Sequence, residues 1–101
     1  MDRRFDLYLV PGRMAICRLD PEVESPPWAG SGLLSSVTRT QAEMTVVCPE
    51  ENVPAGIPCH KNWRCLRIGG VLDLFETGIL SSLAVSLAAK RIPIYALSTY
   101  S

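Results

Sequence analysis

From Trp63 to the end of the chain, the order of apolar and polar positions predicts strand, helix, strand. Trp63-Arg-Cys-Leu-Arg-Ile68 is rich in strand formers and runs into Gly69-Gly70. Between Gly78 and Arg91, apolar residues at Ile79, Leu80, Leu83, Ala84, Leu87 and Ala88 carry the spacing of one helical face. Ile92 to Leu97 is a nearly unbroken apolar run, the pattern of a strand covered on both faces. A strand, a helix of about four turns and a second strand form a βαβ unit, whose crossover is expected to be right-handed.

The loop inside that unit, Val71 to Ile79, is the richest in candidate chemistry. Glu76 or Thr77 falls at or next to the helix N-cap, and Gly78 opens the first turn without a side chain. Free N–H groups and the positive end of the helix dipole suit a carboxylate or phosphate there. Most helix N-termini meet only water or their own cap, so both readings stand on the residues alone. The outer face of the helix is also unusual. Ser81, Ser82, Val85, Ser86 and Ala89 are small and carry no charge, where a solvated face normally holds Glu and Lys. Two readings apply: contact with a second subunit, or a serine-rich face in water. Lys90 and Arg91 complement the dipole, and Pro93 stops the helix.

Earlier in the chain, Asp6 to Val10 reads as a short strand, Pro11-Gly12 as a turn and Met14 to Leu19 as a second strand. The stretch from Pro21 to Gly32 holds three prolines and two glycines, which exclude a long helix. Trp28-Ala29 marks one short helical turn that plugs an apolar residue into the core. Leu34 to Thr40 and Met44 to Cys48 form a predicted β-hairpin through Thr40-Gln-Ala-Glu43, with Val37, Val46 and Val47 suiting a pleated surface. Arg39 is expected to be solvated or paired across the strands. Pro49 to Pro58 is a connector with one turn at Glu50-Glu51, two carboxylates expected to face water. His60 is expected in the loop before the Trp63 strand. Ala15 to Asp20 faintly echoes Arg64 to Ile68, as in two related βαβ-like halves of which the first has a stunted helix.

Composition narrows the function. The chain has 101 residues, 48% of them hydrophobic, enough for one compact domain with a real core. Ten basic residues balance ten acidic ones, which argues against nucleic acid or an anionic membrane as partner. No apolar run approaches the ~18 residues of a membrane helix. Nothing after Met-Asp-Arg-Arg-Phe-Asp resembles a signal region, so a cytoplasmic location is the expectation. Of the cysteines, Cys17, Cys48 and Cys65 lie in predicted strands as small hydrophobes. Cys59-His60 with Cys65 is the one metal-like cluster, and its spacing matches no usual zinc pattern. Disulfides are not expected in a reducing compartment. There is no Gly-x-Ser-x-Gly, phosphate loop or His-Glu-x-x-His, and the single histidine has no orienting partner. The pattern favours binding over catalysis, with no cofactor and no metal.

Taken together, the motifs resemble those of small ACT-domain proteins built from tandem ACT-like repeats. The matching stretches are Leu9-Val-Pro-Gly12 with Ala15 to Asp20, Ser36-Val-Thr-Arg-Thr40, and Val46-Val-Cys-Pro-Glu50. They continue with Trp63 to Ile68, Thr77-Gly-Ile-Leu80 and Ile92 to Tyr100. The second half is also similar to the carboxy-terminal ACT region of the animal cytosolic arginine sensor, through Arg67-Ile-Gly-Gly70, Glu76-x-Gly-Ile79 and Ile92-Pro with Ser98-Thr99.

The resemblance implies an α+β, ferredoxin-like ACT fold, with residues 1–60 a degenerate ACT-like repeat and 61–101 the first βαβ half of a second ACT domain. It implies a non-catalytic regulatory module that binds an amino acid between ACT units. The implied ligand-binding residues are Asp73, Phe75, Glu76, Thr77, Gly78, Ile79, Ser98, Thr99 and Tyr100. Glu76 either points to a basic amino acid or caps the helix. Family members continue past Ser-Thr-Tyr with an acidic turn and further elements, so the chain is expected to be C-terminally truncated. An open sheet edge would then favour a homodimer. The alternative is a structural or assembly module with no functional pocket, and a small enzyme is a third reading.

Overall fold

The computed structural model describes residues 7–68 and 79–98. Its elements are strand β1 (Leu7–Leu19), a 3-10 turn at Pro27–Gly30, β2 (Ser36–Arg39), β3 (Met44–Pro49), a second 3-10 turn at Glu50–Asn52, β4 (Cys59–Ile68) and helix α1 (Ile79–Ala89). The chain separates into two compact units, Met1–Ile68 and Gly69–Ser101.

In the first unit the strands form one antiparallel sheet in the order β2-β3-β1-β4. The β2–β3 hairpin closes as its sequence predicts. The Thr40 N–H donates to the Glu43 carbonyl at 2.8 Å, and the Thr40 hydroxyl oxygen accepts from the N–H groups of Ala42 and Glu43 at 3.2 and 3.1 Å. Across β1 and β3, Leu19, Cys17 and Ala15 oppose Met44, Val46 and Cys48. Opposed residues share a face, and these six line the core side of the sheet. Met44, Val46, Cys48, Ala15 and Cys17 are at most 1% exposed. Ala29 from the first 3-10 turn and Val53 just past the second close over them, with Trp28, Ile57 and Cys59 packed at the margin. A short turn thus lies between β1 and β2 where the prolines forbid a long helix.

The core holds no buried polar or charged side chain among the described residues. Its small members allow the covering segments to approach closely, and Gly32 shows the consequence. Gly32 has φ +107°, and a Cβ there would lie 2.5 Å from Pro49 Cγ, inside a rigid ring.

Several local expectations are corrected. Asp6–Val10 and Met14–Leu19 belong to one strand, because Pro11-Gly12 makes a bulge rather than a reversal. Val10 pairs with Cys65 and Met14 with Trp63, so three residues of β1 face one of β4. Gly12 absorbs this with φ +86°. A second irregularity falls between the Met14–Trp63 and Ile16–His60 pairs, where Asn62 takes φ 72°. There the Asn62 N–H donates to Glu50 Oε2 at 2.9 Å, so this carboxylate anchors the bulge rather than simply facing water. His60 accordingly sits in β4, exposed, and not in a loop. Arg39 is exposed, as one of its two expected readings has it, but it is not simply a solvated charge. Its guanidinium donates to the Pro21 and Val23 carbonyls, the latter at 2.8 Å, and ties down the loop that follows β1. Arg18 pairs with Glu43 at 3.1 Å, an exposed contact of little energetic weight.

Gly32→Ala therefore meets both the left-handed backbone and the Pro49 ring. Urea unfolding is expected to show a loss of at least about 1 kcal/mol, whereas Gly30→Ala, with open space around it, should lose less.

Candidate ligand-binding segment

The second unit contains α1, 11 residues long. Leu83, Ala84 and Leu87 form its half-buried stripe, while Ser81, Ser82, Val85, Ser86, Ala88 and Ala89 are exposed, Val85 at 68%. The inward stripe is narrower than the sequence pattern predicts, since Ala88 turns outward. The Ser86 hydroxyl donates to the Ser82 carbonyl at 3.2 Å, a bond that satisfies a serine on a helix surface.

The helix ends in a Schellman arrangement. Ile92 N–H donates to the Leu87 carbonyl at 3.0 Å and Arg91 N–H to the Ala88 carbonyl at 2.9 Å. Arg91 supplies the left-handed residue, φ 59°, that glycine usually provides. Pro93 then follows where no further helical N–H is available. The strand expected at Ile92–Leu97 is not formed. Residues 92–98 belong to no ladder and lie exposed, with Ile92, Ile94, Tyr95 and Leu97 at 40–48%. An apolar, β-branched run supplies the side chains of a strand, but a strand also needs partner hydrogen bonds.

Of the expected ligand residues, Ile79 is the first residue of α1 and Ser98 ends the described segment after it. Asp73, Phe75, Glu76, Thr77, Gly78, Thr99 and Tyr100 lie outside the described residues.

The metal-like cluster does not assemble. Cys59 and His60 are neighbours on β4 opposite Cys17 and Ile16 respectively, which puts them on opposite faces of the sheet. Cys65 pairs with Val10 beyond the bulges. Among the described residues, no group of three His, Cys, Asp or Glu side chains is arranged to hold a metal ion. Cys59 instead joins Cys17 and Cys48 on the core face, a juxtaposition of thiols that becomes visible only once the strand register is known. Burial, reinforced by the neighbouring Cys48 and Cys59 sulfurs, pushes the Cys17 thiol up to about 12. Burial likewise raises Cys48 and Cys65. These three thiols are held protonated and are poor nucleophiles at neutral pH.

Comparison with known proteins assigns the class. The ACT domain family matches residues 59–101, and a family described only as an N-terminal domain matches residues 12–56. The ACT match contains every expected ligand residue. A solved structure of protein Atu0741 from Agrobacterium tumefaciens is 31% identical, with a TM-score of 0.89 over 98% of this chain and 74% of that one. The chain belongs to the family of that Agrobacterium protein and has an α+β, ACT-like fold. No curated protein matches it. ACT domains are in general regulatory modules that bind small ligands. Among the described residues, no helix is long and apolar enough to cross a membrane.

Two outcomes follow for stability. The folded chain keeps the Cys17 proton more tightly than the unfolded chain, so this contribution is complete below the ordinary thiol value of 9.0 and is lost as pH rises toward about 12. Under reducing conditions, the gap in urea stability between wild type and Cys17→Ala should hold steady below pH 9 and narrow above it. Arg91→Gly removes a side chain from left-handed backbone and should stabilise the helix end by about 0.5–1 kcal/mol, read from the thermal loss of helical circular dichroism.

Proposed function

We propose that the chain is a non-catalytic regulatory module that binds an amino acid at an interface between ACT units. The loop before α1 supplies Asp73, Phe75, Glu76, Thr77 and Gly78, the start of the helix supplies Ile79, and the segment after the helix supplies Ser98, Thr99 and Tyr100. The observation that carries this proposal is the ACT match across residues 59–101, which spans both stretches. Two supports come from the chain itself. The helix that follows the loop is formed, and a helix N-terminus presents N–H groups and positive potential to an amino acid's carboxylate. Glu76 supplies a negative charge in the same loop for a cationic end, which favours a basic amino acid. In this proposal residues 1–60 act as a degenerate ACT-like repeat and residues 61–101 as part of a second ACT domain, with a homodimer completing the interface. Ligand binding regulates by favouring one subunit arrangement over another.

A second reading, an assembly module without a functional pocket, draws on exposed apolar side chains. Leu7, Leu9 and Leu66, at 43%, 55% and 48%, lie on the β1–β4 ribbon beyond the reach of β3.

Thermal unfolding in the presence of each amino acid separates the two. A ligand at 100 times its dissociation constant that binds only the folded state adds about 2.7 kcal/mol. Arginine or lysine is expected to raise the melting temperature, and Glu76→Ala to abolish the shift. A shift unchanged by Glu76→Ala removes that residue from the site. A cooperative melt that no amino acid moves favours the assembly module.

A further inference from the structure

We propose that Cys17 and Cys59 are a modification site, closing a cross-strand disulfide between β1 and β4 when the protein meets a small-molecule disulfide. The two residues are direct partners in the β1–β4 ladder. The bond beside them runs from the Arg18 N–H to the Pro58 carbonyl at 3.0 Å. A ladder bond between the residues flanking a pair marks that pair as non-hydrogen-bonded, the class in which Cα atoms lie about 4.5 Å apart and side chains come closest. A disulfide requires roughly 4.4–6.8 Å between Cα atoms. Both side chains are on the core face, Cys17 at 1% exposure and Cys59 half-buried at the margin.

Cys48 is the competing partner, and the register disfavours it. Cys48 opposes Ala15, while Cys17 opposes Val46, so Cys17 and Cys48 are diagonal neighbours. The Cys48 sulfur also neighbours Cys17, but diagonal Cα atoms lie about 7–8 Å apart, so closing that bond would require backbone movement that the Cys17–Cys59 pair does not.

The chemistry proceeds by exchange. The Cys59 thiol, nearer to water, gives up its proton, and the thiolate attacks one sulfur of the small disulfide. A mixed disulfide forms on Cys59 and one small thiolate leaves, taking up a proton. Cys17 then loses its proton, attacks the Cys59 sulfur and displaces the second small thiol. Two protein thiols are oxidised and one small disulfide is reduced to two thiols. Burial that keeps Cys17 protonated makes the second step the slow one. This proposal stands apart from the amino-acid site, since neither cysteine belongs to it.

The test treats the reduced full chain with 2-hydroxyethyl disulfide, alkylates the remaining thiols in denaturant and maps the peptides. The expected product is a monomer that has lost two hydrogen masses before alkylation, and that after alkylation has Cys17 linked to Cys59 and only Cys48 and Cys65 alkylated. Its melting temperature should rise by at least about 5 °C, because the closed loop restricts the unfolded chain. Cys48→Ser should give the same link, and Cys59→Ser no intramolecular link. Four free thiols, a mixed disulfide that persists on Cys59, a link through Cys48 or Cys65, or a disulfide between two chains would each overturn the proposal.

Discussion

β1 is the strand on which the first unit depends, because it joins the β2–β3 hairpin on one side to β4 on the other. Its second half, Met14 to Leu19, is bonded to β3, while its pairing with β4 extends from Leu7 to Cys17. A slip of one residue would move Ala15, Cys17 and Leu19 from the core face to the other side and expose the partners they cover. The register is held by two bulges of opposite sense against β4, one relieved by Gly12 and one pinned by the Asn62–Glu50 bond. The same register brings Cys59 beside Cys17 and leaves His60 on the opposite face. A single geometric constraint therefore shapes the hydrophobic core and disperses the one cluster in the sequence with a metal-like composition.

The core shows how a small unit closes without a covering α-helix among its described residues. Alanine, cysteine and valine side chains lie flat under two 3-10 turns, and the largest fully buried side chain is Met44. Such packing leaves little room for error, since each covering segment must come close to the sheet. The Gly32–Pro49 approach and the Arg39 tether on Pro21 and Val23 serve that closeness from opposite ends of the covering loop.

Elements set by local chemistry were legible in the sequence. The hairpin follows from β-branched residues flanking a Thr40 turn, α1 from its apolar spacing, and the 3-10 turns from proline-bounded segments, the first with an apolar plug at Trp28-Ala29. What escaped was decided by tertiary partners. Pro11-Gly12 has the composition of a turn, yet β4 carries the strand through it. The start of β4 at Cys59 was hidden by Asn62, which occupies left-handed backbone inside a strand. Ile92–Leu97 has the side chains of a buried strand but no ladder. The role of Arg39 depends on a loop some 18 residues away. The candidate site was legible only as a family pattern, because Gly78 and a helix N-terminus are individually common features, and most of its residues lie outside those described.

Hydrogen–deuterium exchange with and without a basic amino acid tests amino-acid binding at that site most directly. Binding there predicts slowed exchange confined to peptides covering residues 69–80 and 98–101, with β1 and β3 unchanged. Exchange that no amino acid alters, or protection restricted to β1–β4 peptides, would contradict it.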